Sequence, residues 1–256
     1  MARFEIVDAL CCPGPVSVHE PGRHYRMEDL LSEHARFGIV QRLCLHAESR
    51  DGVPDEGNAE MDRIASGNPG TAIVWTVLPP NRFHAEPVDE LMSRAKNAGV
   101  AAFAMFPKRQ LHSLMPWSNG VLYAAMSESR LPLYLDCEQT DWQALLETAC
   151  AYPDLPIVIW NAHYRTDRFL IPIMDQCPNV HVNLAARFVQ SQGLEDFSGR
   201  FGPGRLIYGS NWPLQSSGPL ISYVTYSLLD DDSKQAILAG NIKRLLQDIA
   251  WPVRAF

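Results

Sequence analysis

Short, almost uninterrupted apolar runs recur along the chain, separated by segments in which apolar positions return at helical spacing. Eight runs read as strands: FEIVDAL (4–10), GIVQRLCLH (38–46), TAIVWTVLP (71–79), VAAFAMFP (100–107), LPLYLDC (131–137), LPIVIWNAH (155–163), VHVNLA (180–185) and RLIYGS (205–210). Runs apolar on both faces suit a parallel sheet covered by helices. The helical segments carry start and stop signals. One spans 86–100 and stops at Gly99; one spans 118–132 and stops before Pro132; one starts at Thr140 or Asp141 and ends before Pro153. After the last strand come a helix over 219–230 and a single helix over 231–250, opened by Asp231, Asp232 and Ser233.

Eight strands alternating with helices in 256 residues predict a single-domain (β/α)8 barrel. An open doubly wound sheet is the runner-up, weakened by the lack of a GxGxxG or P-loop after an early strand. No repeat, low-complexity tract or linker interrupts the pattern. The turn-rich stretch from Cys11 to His24 follows the first strand and is placed to overhang the barrel mouth.

A chain 46% hydrophobic and 20% charged has the composition of a globular protein with a large core. Its net charge of -7 and pI near 5.6 argue against nucleic acid and acidic membranes, which demand a basic face. A small-molecule substrate or ligand is expected instead. The start MARFEIVDAL lacks the features of an export signal, so a cytoplasmic location and reduced thiols are expected by default. The six cysteines form no CxxC pair, which excludes a zinc ribbon.

In a barrel of this type the chemistry sits at the C-terminal ends of the strands. Those ends supply Asp8 to Cys12, His46, Lys108, Asp136 with Cys137, Asn161 to Arg165, Asn183 to Arg187, and Asn211 with Trp212. Each has a structural reading beside the functional one. Asp8 suits a strand-end turn, Cys12 a buried thiol, His46 a packed ring, and Lys108 with Arg109 a solvated basic pair. Asp136 is costly at a strand end unless paired or solvated, so it belongs in a pocket or a salt bridge. NAHYR directly after a buried strand favours function.

Taken together, these pieces resemble the amidohydrolase superfamily, in the branch of aminocarboxymuconate semialdehyde decarboxylase and the pyrone-dicarboxylate lactonases. VDALCC resembles the family's first strand, LPLYLD the fifth, YPDLPIVIWNAH the sixth, RLIYGSNWP the GSDxP of the eighth, and AILAGNIKRLL the closing helix. The resemblance implies a barrel carrying four histidines and an aspartate around a divalent metal. Onto those seats it maps Leu10 and Cys12 for the first two histidines, Asp136 for the third, Asn161 or His163 for the fourth, and Asn211 for the aspartate. Leucine binds no metal, and an amide is no general base near neutral pH.

The expectation is therefore a metal-independent, lactonase-like hydrolase without a cofactor. Asp136 or His163 serves as acid or base, and Asn211 orients substrate or stabilises an oxyanion. Arg165 and Arg187 clamp a carboxylate, while Cys12, His46, Lys108, Asn161 and Trp212 complete the pocket. A non-catalytic binder of a metabolite or partner is the first alternative. The second is a zinc hydrolase or decarboxylase using Cys12, Asp136 and His163. Barrels of this kind often pair through helix faces, so a homodimer stays open.

Overall fold

The computed structural model describes residues 4–15, 24–80, 86–184, 192–254 and 256. Eight parallel strands lie side by side in chain order: β1 (Val7–Cys11), β2 (Gln41–Cys44), β3 (Thr71–Thr76), β4 (Ala102–Met105), β5 (Leu133–Asp136), β6 (Ile157–Trp160), β7 (Val180–Asn183) and β8 (Leu206–Ile207). The ring closes from β8 to β1 through backbone bonds from Ala9 N to Tyr208 O (3.1 Å), Asn211 N to Leu10 O (2.9 Å) and Cys12 N to Trp212 O (2.7 Å). The architecture is the expected (β/α)8 barrel. Every apolar run contains a strand, shorter than the run itself because its flanks cap helices or turn into loops.

Around the barrel run α1 (Met27–Phe37), α2 (Ala47–Asp51), α3 (Pro54–Ser66), α4 (Val88–Ala98), α5 (Pro116–Ser129), α6 (Trp142–Ala151), α7 (Asp167–Gln176), α8 (Gly193–Phe201), α9 (Ser217–Thr225), α10 (Asp231–Gln235) and α11 (Asn241–Gln247). Local chemistry sets their ends. Asp141 caps α6 by accepting from Ala144 N at 2.8 Å. Gly99 ends α4 with φ 69°, and a Cβ there would meet Arg254 N at 2.9 Å, so glycine satisfies both the left-handed backbone and the close approach.

The single helix expected over 231–250 is corrected in two respects. Its cap is Asp230, whose carboxylate accepts from Ser233 N at 2.7 Å. A π turn at Ala236–Gly240 separates α10 from α11. The wider turn presents Ile237 O, which accepts from Tyr208 N at 2.9 Å and so takes up a backbone donor just past β8.

The core is the strands themselves. Leu43, Ala72, Ile73, Phe103, Ala104, Leu133, Tyr134, Ile157 to Ile159, Val180 and Val182 are fully buried. Each large aliphatic side chain so placed contributes about 1.5–3 kcal/mol of transfer free energy. The β1–β2 register shifts between Asp8 and Cys11, a bulge-like irregularity at the end of β1. Among the described residues no helix is long and apolar enough to cross a membrane.

Candidate active site

At the ends of β5, β6 and β8 three polar side chains form one hydrogen-bonded row. Asn211 Nδ2 donates to Asn161 Oδ1 at 2.6 Å, and Asn161 Nδ2 donates to Asp136 Oδ2 at 3.0 Å. Asp136 Oδ1 accepts from Glu138 N at 2.9 Å. Burial nevertheless dominates and pushes the Asp136 carboxyl above its ordinary value, against those donors and the Trp160 indole. Asn161 and Asn211 both have φ 57°. This left-handed conformation is one that asparagine tolerates better than most residues, so the two strand-end turns themselves select it.

Next to this row lies a cluster of opposite charges. Arg50, on α2, donates through Nε to Asp51 Oδ1 at 2.6 Å and through Nη2 to Asp51 Oδ2 at 2.9 Å; among the described residues Nη1 makes no hydrogen bond. Arg109 also binds Asp51. The Arg50 side chain is 16% exposed and lies within electrostatic reach of Cys12 and Asp136. Cys12 is buried, and burial first, with Asp51 adding to it and Arg50 opposing it, lifts its thiol to about 11. The thiol therefore keeps its proton near neutral pH.

Behind β1 a second row is fully enclosed. Arg42 Nε donates to His34 Nδ1 at 3.1 Å, and His34 Nε2 lies 3.0 Å from Asp8 Oδ2. Because Arg42 has no acceptor to offer, Nδ1 must be the acceptor and the ring proton sits on Nε2, toward Asp8. Asp8 Oδ1 accepts from Ser210 N at 2.8 Å and Leu10 N at 3.2 Å. Burial alone would raise the Asp8 carboxyl; the His34 and Ser210 hydrogen bonds outweigh it and hold it below its ordinary value. Asp8, Cys11 and His34 are the one group of metal-ligand types that converges among the described residues. The proton fixed on Nε2 removes the lone pair a metal would need.

The remaining sequence-predicted residues fall on either side of the mouth. Of the two candidates after β6, Asn161 joins the row, whereas His163 Nδ1 accepts from Arg165 N at 3.2 Å within its own half-buried turn. Arg165 is exposed, with Nε donating to Tyr164 Oη at 3.0 Å and its guanidinium against that ring, so it does not join the cluster. Arg187 lies outside the described residues, as does 16–23 of the stretch expected to overhang the mouth. Lys108 is exposed and donates to Glu138 O at 2.6 Å. His46 caps α2 by accepting from Glu48 N at 3.3 Å, and its ring lies against Gly14; burial lowers its basicity. Trp212 is buried, its amide bound to Ser210 Oγ at 3.0 Å.

Sequence reasoning missed Arg50, Asp51 and the His34–Arg42 support. The available signal was weak: HAESRD reads as an ordinary solvated turn of helix. Asn183, one of the strand-end residues named from the sequence, is fully buried with neither amide atom partnered among the described residues, and a Cβ at Gly209 would fall 2.2 Å from its Nδ2. The buried Tyr134 hydroxyl is likewise unpartnered.

The sequence matches the family model described as Amidohydrolase over residues 13–247. A search of curated proteins gives no match. Solved structures share the fold. An uncharacterised TIM-barrel protein from Bordetella bronchiseptica is 17% identical with a TM-score of 0.77, over 96% of this chain and 99% of that one. 5-Carboxyvanillate decarboxylase from Sphingomonas paucimobilis is 14% identical, TM-score 0.71, over 95% and 99%. A probable 2-pyrone-4,6-dicarboxylic acid hydrolase from Acinetobacter baumannii, with citric acid bound, is 14% identical, TM-score 0.68, over 95% and 100%.

Proposed function

The chain belongs to the amidohydrolase family, and we propose that this member is a metal-independent, lactonase-like hydrolase of a small carboxylated substrate, acting at the C-terminal mouth of its barrel. The row Asn211–Asn161–Asp136 carries this reading. Burial makes Asp136 a stronger base than a solvated aspartate. In the proposed reaction it accepts a proton from water as the water oxygen bonds to the lactone carbonyl carbon. The second Nδ2 hydrogen of Asn211 meets the developing oxyanion, and the proton returns to the ring oxygen as the C–O bond breaks.

Arg50 replaces the Arg165 clamp in this scheme. With Nε and Nη2 fixed by Asp51, its orientation is set in advance, and Nη1 is left to meet a carboxylate. Two of the solved relatives are named for reactions of carboxylated ring compounds, which accords with such a substrate.

Metal independence is supported by the donor atoms at the family's ligand seats. Leu10 offers none, and the Asn161 and Asn211 amides are committed to each other and to Asp136, which leaves Cys12 and Asp136 as the ionisable donors at those seats. This set does not fit a divalent ion in fixed geometry.

The test is a panel of carboxylated lactones and aromatic carboxylates offered to chelator-treated protein. Hydrolysis that survives the chelator and falls ~100-fold or more in Asp136→Asn is expected, that being the usual weight of a general base. Arg50→Met is expected to raise KM by ~10-fold or more, the loss of one charge-assisted hydrogen bond. Carboxylate binding without turnover would leave a non-catalytic binder. Activity that disappears with the chelator and returns with zinc would restore a metalloenzyme.

A further inference from the structure

Cys150 and Cys177 stand apart from the candidate site. Cys150 is the penultimate residue of α6 and is exposed; Cys177 caps the C-terminus of α7 and is buried. Helices following the strands of a barrel return to its N-terminal face, so this pair lies at the end opposite the mouth. Their Sγ atoms are 3.3 Å apart, in direct contact and not bonded. The segment between them contains β6 and the turn that presents Asn161.

We propose that Cys150 and Cys177 form a thiol–disulfide exchange site that takes a small-molecule disulfide as its oxidant. The exposed Cys150, as thiolate, attacks one sulfur of that disulfide. The S–S bond breaks, one small thiol leaves, and the other half remains on Cys150 as a mixed disulfide. Cys177 then loses its proton and attacks the Cys150 sulfur, forming the Cys150–Cys177 bond and expelling the second small thiol. Two protein thiols are oxidised, one small disulfide is reduced to two thiols, and the two protons leave with those thiols.

The arrangement orders the two steps. An external disulfide meets the exposed sulfur first, whereas the other is buried in contact with it. Burial, reinforced by the Cys150 thiol and opposed by Arg205, pushes Cys177 up to about 12. The closing step is thus slow near neutral pH and accelerates ~10-fold per pH unit as the thiolate fraction grows. Arg205 fixes the local backbone, with Nε donating to Val180 O at 2.6 Å and Nη2 to Cys177 O at 2.8 Å. The other four thiols, Cys11, Cys12, Cys44 and Cys137, are buried and serve as internal controls.

The full chain is incubated with oxidised glutathione over a range of pH and examined by intact mass and non-reducing peptide mapping. The expected product is lighter by two hydrogens, joins the peptides of Cys150 and Cys177, and melts at a higher temperature than the reduced protein. Cys150→Ser, a surface change, is expected to abolish both the bond and the melting shift. Persistent glutathione on Cys150 without closure at any pH would overturn the proposal, as would a bond between other cysteines or no reaction. Cys177→Ala provides a second arm: the mixed disulfide must then accumulate on Cys150, and failure to trap it counts against the order of steps.

Discussion

Replacing Asn211 by the aspartate usual at its seat in the family looks like a restoration, yet the hydrogen-bond polarity of the mouth predicts damage. Asn211 donates to Asn161 Oδ1 across 2.6 Å, and Asn161 donates onward to Asp136 Oδ2 across 3.0 Å. A carboxylate has no hydrogen to give. In Asn211→Asp two acceptors would face each other unless the Asn161 amide turned over, and turning it over would set its oxygen against Asp136. Asn211 is only 5% exposed, so water does little to relieve the conflict. The backbone is not at fault, because aspartate tolerates a φ of 57° nearly as well as asparagine. One lost hydrogen bond, about 1 kcal/mol, plus a poorly paired buried charge gives an expected loss of about 2–4 kcal/mol near neutral pH. That is a large share of the ~5–15 kcal/mol by which proteins of ordinary stability fold.

The new carboxyl escapes the conflict by holding a proton, which then supplies the missing donor, so its folded pKa must be raised. A raised carboxyl favours the folded state below the unfolded value near 3.9 and loses that contribution as pH rises through the folded value. The deficit relative to wild type should therefore be largest near about pH 7.5 and shrink by about pH 5.5. Urea unfolding at both pH values measures it, with a midpoint drop of about 1 M expected at the higher one. Asn211→Gly is the control, since it suits the left-handed backbone and removes the side chain with its amide while adding no charge, and it should lose about 1 kcal/mol at either pH. A deficit that is absent, or equal at both pH values, would refute the assigned polarity of the row.

Two further outcomes follow from contacts beside the row. Asp8→Asn sets an amide against groups that all donate, His34 Nε2 and the Ser210 and Leu10 amides, and should lose about 2–4 kcal/mol near neutral pH. Because the Asp8 carboxyl is held below its ordinary value, its contribution is present above about 3.9 and lost as pH falls through the lowered value; acid titration followed by circular dichroism should show a flatter acid limb in the variant. Gly209→Ala drives a methyl to 2.2 Å from Asn183 Nδ2 and should lower stability by about 1–3 kcal/mol in thermal melts, with much of the loss recovered in a double variant with Asn183→Ala.

The strands were legible in the sequence because each is buried on both faces, so no alternation was needed to find them. The row at the mouth was legible as a set of strand ends, and its internal order was not: nothing in NAHYR says that Asn161 turns toward Asp136 while Arg165 stays exposed and packs on Tyr164. Arg50 was hidden for a related reason. It sits in a five-residue helix after β2, and its burial depends on Asp51 and on strand ends distant in sequence. His34 was hidden on an amphipathic helix where a histidine carries no special pattern; its role is created by Arg42 on one side and Asp8 on the other. Proton positions and amide directions are tertiary properties, and periodicity does not encode them.

The brevity of β8 has a consequence for how the barrel breathes. Leu206 and Ile207 alone form its ladder with β7, Tyr208 gives its amide to the π turn, and the join to β1 rests on a few backbone bonds. Few ladder bonds mean little redundancy, so partial opening of the ring costs least at this seam and amide hydrogens of 206–212 should exchange faster than those of β3 to β6. Asn211 lies on the seam. An opening there pulls its amide from Asn161 and breaks the row at its donor end, making the staves most easily parted also those that assemble the mouth. A small molecule seated across Asn211 and Asp136 would act as a hoop, slowing exchange along β8 and β1 before altering any other part of the wall.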